Sequence, residues 1–155
     1  MRKSVYLDST IPSYLFDERE SIRLHCDITK KWMDEESRNF EIFVSLETIA
    51  ELSNGEFPKK NDILEFVKTI ERLEPNPEIA KIVAIYIENS LMPKDEQGDA
   101  VHLAYASFYK IDFLLTWNCN HLANANKKQH IRIINTRLNL YTPEIITPLE
   151  LFSER

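Results

Sequence analysis

The chain of 155 residues carries only 2 glycines against 7 prolines. With Gly55 and Gly98 alone, neither a GxGxxG nor a GxxxxGK[ST] loop can be built, so phosphate cradling by a glycine-rich turn is excluded. Cysteine is equally scarce. Cys26 and Cys119 have no CxxC spacing, which excludes a disulfide framework and a zinc knuckle and fits a reducing cytoplasm. Long apolar runs are missing too. The run that follows Met1-Arg2-Lys3 stops at Asp8, too short for a signal-peptide core, and nothing approaches the ~20 apolar residues of a membrane span. Basic excess is also absent. The formal net charge of −6 disfavours strong non-specific binding to duplex DNA.

What remains is ordinary globular material, 43% hydrophobic and 28% charged, and long enough to bury one core. We read one domain spanning 1–155, without repeat, linker or low-complexity segment. Ser4–Leu7 reads as a short buried strand ending at Asp8, and Phe40–Val44 as a second. Apolar spacing predicts helices over 18–37, from Ser45 to about Ser53, over 60–71 and from Asn76-Pro77 through Asn89. Lys94–Lys110 is predicted as a helix whose alanines allow close approach to a sheet. Asp112–Thr116 and Ile131–Ile134 are predicted as strands, and the tail, with Thr-Pro at 142–143 and 147–148, as extended or turn before a short helical end. Alternation of strand and helix implies an α/β fold with a central parallel sheet covered on both faces.

In such a sheet, sites form beyond the carboxyl ends of the strands. Asp8 directly follows the first strand, and Asn118 lies just after the Asp112–Thr116 strand. Glu51 lies about two turns into the helix after the second strand, and Asp95 and Asp99 share one helix face at i, i+4. Clustered carboxylates repel, and a hard cation such as Mg²⁺ relieves the repulsion while polarising a phosphodiester and helping to form hydroxide. Each residue also has a plainer reading. Asp8 can be a helix cap beside Ser9 and Thr10, Glu51 an exposed helix glutamate, Asp95 a helix-start charge on the macrodipole, and His102 a packed, hydrogen-bonded histidine.

Four segments in series resemble the PIN-domain family, small nucleases that include VapC-type toxins. They are Val5-Tyr6-Leu7-Asp8-Ser9-Thr10, Ser45-Leu46-Glu47-Thr48-Ile49-Ala50-Glu51-Leu52, Gly98-Asp99-Ala100-Val101-His102-Leu103-Ala104-Tyr105-Ala106 and Asp112-Phe113-Leu114-Leu115-Thr116-Trp117-Asn118. The resemblance implies a three-layer α/β/α sandwich around a parallel sheet. It implies Mg²⁺ or Mn²⁺ as cofactor, RNA as substrate and hydrolysis of phosphodiester bonds, in some members as the toxin half of a pair with an antitoxin protein. Asp8, Glu51 and Asp99 match the metal-binding, catalytic acids. Asn118 matches the place where many members carry a fourth acid, and Asn120 a nearby acidic position. The neutral Asn118 removes a charge, which Asp95 is placed to restore as an auxiliary ligand.

Lys127, Lys128, Arg132 and Arg137 lie in an acid-free stretch, 127–137, and are candidates for contacting RNA phosphates or simply for a solvated patch. Trp117 is a candidate for stacking on a base or for packing. Apolar residues on the 18–37 or 60–71 helices are candidates for a homodimer face or an antitoxin groove. Two competing chemistries fit poorly. A haloacid-dehalogenase phosphatase needs a second Asp where Thr10 stands, and a response-regulator receiver needs an acidic pair and a later lysine that are not in the expected places. A non-catalytic RNA- or protein-binding module on the same fold remains the alternative, with Asn118 as its mark.

Overall fold

The computed structural model describes residues 1–92, 97–120, 122 and 124–153. Its sheet has five strands, all parallel, in the order β3-β2-β1-β4-β5: β1 Lys3–Leu7, β2 Phe40–Val44, β3 Glu71–Arg72, β4 Phe113–Leu115 and β5 Glu144–Ile146. β1 is central. Val5 pairs with Ile42 on one side and Phe113 on the other.

Seven helices among the described residues connect the strands: α1 Thr10–Phe16, α2 Arg23–Glu35, α3 Leu46–Ser53, α4 Lys60–Lys68, α5 Pro77–Glu88, α6 Gln97–Phe108 and α7 Ala125–Arg137. Because strand side chains alternate between faces, β1 feeds two separate cores. Tyr6 joins Tyr86, Leu103, Ala104, Leu114, Ile131 and Ile145 beneath α5, α6 and α7. Val5 and Leu7 join Ile11, Trp32, Leu52, Ile63, Val67 and Leu115 beneath α1 to α4. Both faces of the sheet are thereby covered, and the architecture is the expected three-layer α/β/α sandwich.

Helix starts follow local chemistry. The Ser45 hydroxyl accepts from the Glu47 amide, and Asn76 caps α5 with Pro77 in its first turn. Ala100, Ala104 and Ala106 are fully buried, so α6 packs closely, as its alanines predicted.

The C-terminal third differs from the sequence reading. Ile131–Ile134 is not a strand but lies within α7, where Ile131 and Ile134 are buried one turn apart and Ile133 is 45% exposed. The fifth strand is instead Glu144–Ile146, inside the tail read as extended or turn. The two-residue β3 was not anticipated. Among the described residues no helix is long and apolar enough to cross a membrane.

Candidate active site at the switch point of the sheet

In the order β3-β2-β1-β4-β5, the chain builds outward in one direction from β1 and in the other from β4. The crevice between the carboxyl ends of β1 and β4 is therefore the topological switch point, where open parallel sheets bind ligands. Asp8 leaves β1 into that crevice, and the stretch Thr116-Trp117-Asn118 leaves β4 into it. Asp99 arrives in the first turn of α6.

Asp8 is 2% exposed and Asp99 8%. A chain of hydrogen bonds joins them. The Thr116 hydroxyl donates to Asp8 Oδ2 at 2.5 Å, the Asn118 amide N–H donates to Thr116 Oγ1 at 2.9 Å, and Asn118 Nδ2 donates to Asp99 Oδ2 at 2.8 Å. The other Asp8 oxygen accepts from the backbone and hydroxyl of Thr10, at 3.0 and 2.5 Å. Burial nevertheless pushes the Asp8 carboxyl above its ordinary range, against the lowering by His102, Thr10 and Thr116.

Glu51 sits differently. Its Oε1 lies 2.6 Å from His102 Nε2, and His102 Nδ1 lies 2.6 Å from the Tyr6 hydroxyl. Burial alone works against the charged form of each partner, yet the contact between them wins: the His102 pKa is raised and that of Glu51 lowered. Asp8 and Asp99 also draw His102 toward its protonated form. As imidazolium both ring nitrogens donate, one to Glu51 and one to Tyr6. The Tyr6 phenol, held protonated by complete burial, can donate a hydrogen bond to Ser45 Oγ at 2.6 Å. Thr48, 3.3 Å from that phenol, donates to the Leu7 carbonyl and anchors α3 to β1.

Gly98 makes this contact between α3 and α6 possible. A Cβ there would stand 2.3 Å from Glu51 Oε2 and 3.3 Å from Glu47 Oε1. Glu47, one turn before Glu51, is a site acid that the sequence reading passed over. Its carboxyl is raised by burial and by Glu51. The i, i+4 spacing of Glu47 and Glu51 was the signal available.

The structure thus links Asp8 to Asp99 through Thr116 and Asn118 and draws Glu51 onto His102. Asp95 lies outside the described residues. Asn120 is exposed, and its carbonyl accepts from Asn124. Lys127 donates to the Leu91 carbonyl, ahead of α6. Lys128 and Arg132 line a cavity of about 390 Å³ with Lys3, Phe113 and Glu144, which begin or adjoin the amino ends of their strands. These two cations face away from the acids.

Oxygen-only donors on buried carboxylates are the chemistry of a hard divalent cation. Among the described residues no three His, Cys, Asp or Glu side chains are arranged as a ready metal group. Mg²⁺, however, is commonly held by one or two carboxylates and keeps several waters. Asp8 and Asp99, with Asn118 beside them, meet that requirement.

No protein-family model matches the sequence, and no curated protein matches it. Solved structures do match by fold. A chain of a toxin–antitoxin complex from Klebsiella pneumoniae is 22% identical with a TM-score of 0.56, the match covering 80% of this chain and 94% of that one. A chain of VapBC2 from Rickettsia felis, solved bound to a DNA fragment from its promoter, is 16% identical with a TM-score of 0.55, covering 91% and 97%. The chain has a PIN-like fold. Within the PIN fold, the motif segments from Val5, Ser45, Gly98 and Asp112 supply all the residues just described around the switch point.

Proposed function

We propose that this PIN-fold chain is a divalent-metal-dependent nuclease that hydrolyses RNA phosphodiester bonds, as the toxin component of a toxin–antitoxin pair. One observation carries the reading: two nearly fully buried carboxylates, Asp8 and Asp99, meet at the switch point of a parallel sheet and are joined through Thr116 and Asn118. Buried acids are costly, and a bound cation is what makes their ionised forms favourable.

Asp8 and Asp99 would hold Mg²⁺ or Mn²⁺, with Asn118 as auxiliary. The ion would polarise the phosphodiester and lower the pKa of water. Thr10 and Thr116 fix the two oxygens of Asp8, and Asn118 fixes Asp99, so that neither carboxylate must reorganise when substrate arrives. Glu51 in its ion pair with His102 flanks the acids, and a small swing of its half-exposed side chain would free it as a further ligand or a proton acceptor. Lys127, at the head of α7 after the Asn118 loop, is the cation best placed for a phosphate entering the site. Lys128 and Arg132 would meet RNA only beyond the site, toward the strand entry side. The reading of an antitoxin protein as partner is supported by the fold likeness to chains of toxin–antitoxin complexes, and a second copy of this chain is proposed as a further partner. Free Cys26 and Cys119 fit a cytoplasmic setting.

A second reading has its own observation. Asn118 donates to Asp99 where an acid would offer another oxygen, which favours a weakened module that binds RNA or protein without cutting. Cleavage of a mixed RNA pool separates the two. Cutting that requires Mg²⁺ or Mn²⁺, stops in EDTA and is lost in Asp8→Asn and Asp99→Asn supports the nuclease. A folded, inhibitor-free protein that cuts under no metal, but does so after Asn118→Asp, establishes the weakened module.

A further inference from the structure

Trp117 stands between the residue that bonds Asp8 and the residue that bonds Asp99. Its backbone N–H donates to Thr10 Oγ1 at 3.0 Å, which itself donates to Asp8. The ring leaves the acids toward α1 and α2 and meets two more rings. Its centroid is 6.2 Å from that of Tyr14, in a stacked arrangement with 15° between planes, and 4.5 Å from that of His25. Tyr14 and His25 are 6.5 Å apart. Tyr14 and Trp117 are nearly parallel with widely separated centroids, and His25 is inclined 43° to Trp117 and 31° to Tyr14, so the three rings form one aromatic cluster. His25 is exposed, and Tyr14 and Trp117 are only partly buried. The indole N–H is consumed within the protein, by Thr29 Oγ1 at 2.7 Å.

We infer that Tyr14, His25 and Trp117 form an aromatic shelf on which a nucleobase of single-stranded RNA stacks while a neighbouring phosphate reaches Asp8 and Asp99. The inference rests on the nuclease reading and adds to it how the substrate is held. Stacking asks only for an unpaired π-face, so it tolerates any base. Because stacking needs an exposed base face, the shelf selects unpaired nucleotides over duplex. It also answers how a chain with net charge −6 holds RNA: much of the affinity is stacking, which salt screens little. His25 is the outermost ring. It lies on the surface of α2, and its removal leaves the Trp117–Thr29 bond in place.

The test compares a labelled 2′-O-methyl RNA octamer with its abasic counterpart, which keeps every phosphate, by fluorescence anisotropy in Mg²⁺ at 4 °C. The octamer is expected to bind about tenfold more tightly or better. His25→Ala narrows that gap and leaves the abasic affinity unchanged. Tryptophan fluorescence is quenched by the octamer and not by the abasic chain. Trp32, fully buried and bonded to the Leu151 carbonyl, stays out of reach, so the signal belongs to Trp117. Equal affinity for the two oligomers, or a gap and a quench that His25→Ala and Trp117→Leu both leave intact, overturns the shelf while the nuclease stands. Failure to bind either oligomer, together with failure to cut RNA, overturns both.

Discussion

Replacing Asp8 with asparagine removes a charge from a site that is 2% exposed and keeps the shape of the side chain. Two effects oppose each other. Three hydrogen bonds to a carboxylate become bonds to a neutral amide, and the Thr116 hydroxyl, which already accepts from the Asn118 amide, must accept again rather than donate. That loses about 1 kcal/mol per bond at most. Against it stands the desolvation of the carboxylate, several kcal/mol for a buried ion. The raised Asp8 carboxyl shows which side wins. The sign follows directly. Unfolded Asp8 releases its proton near 3.8, and the folded chain holds it to higher pH, so across that window the native state binds more protons and stability falls as pH rises. Above the folded pKa the cost is complete, at about 1.4 kcal/mol for each unit of separation. Asp8→Asn is therefore expected to be more stable than wild type at pH 8 in EDTA, each kcal/mol gained raising Tm by roughly 2–4 °C. The gain shrinks as pH falls through the folded-state pKa of Asp8. Mn²⁺ raises the wild-type Tm and closes the difference, and leaves the variant where it was. Thermal melts followed by circular dichroism read all of this. A variant less stable than wild type at pH 8 in EDTA would refute the reasoning, because the Thr10 and Thr116 bonds would then outweigh burial and the site would have no need of a cation.

Gly98→Ala puts a methyl 2.3 Å from Glu51 Oε2, where ordinary contact begins at 3.4 Å, so the carboxylate is pushed off His102 and away from α6, the helix that carries Asp99, and is kept from swinging toward the acids. Helix propensity offsets up to about 1 kcal/mol, and the expected outcome is a nearly unchanged Tm with RNA cleavage reduced severalfold; unchanged cleavage would remove the Glu51–His102 pair from the account. Tyr6→Phe leaves His102 Nδ1 and Ser45 without their shared partner. It is expected to cost about 1–3 kcal/mol in urea unfolding, and a neutral outcome would mean that the buried network re-pairs without the phenol. Lys127→Glu is expected to lower the salt dependence of RNA binding by about one unit of slope, and Arg132→Glu, on the far side, to leave it alone.

The parts of the fold legible in the sequence were those whose signal is local. β1, β2 and β4 are short apolar runs ended by a polar residue, and α5 carries its own Asn cap and first-turn proline. The misreading of α7 has a physical cause. Ile131, Ile133 and Ile134 are close enough to mimic a buried strand, and only the exposure of Ile133 reveals a helical period. β5 was hidden by its flanking prolines. Pro143 and Pro148 lie just outside Glu144–Ile146, and β5 is an edge strand, where proline nearby is tolerated. β3 pairs two exposed residues and has no pattern to read. At the site, Asp8 and Asp99 were visible because a strand end and a helix start place them. The attachment of Glu51 to His102 was not, since it depends on how closely α3 and α6 approach at Gly98, a tertiary distance that no spacing encodes. Tyr6 likewise read as strand core, and its hydroxyl matters only once Ser45, Thr48 and His102 surround it.

The central claim is that Asp8 and Asp99 together hold a divalent cation. Mn²⁺ binding followed by the electron paramagnetic resonance of the free ion tests it without reference to any substrate. The account predicts that wild type takes up Mn²⁺, that Asp8→Asn and Asp99→Asn each abolish the uptake, and that Asp112→Asn, whose carboxylate is bonded to Ser4 at the other end of the sheet, retains it. Uptake that is absent from wild type, or equal in all four proteins, would contradict the account.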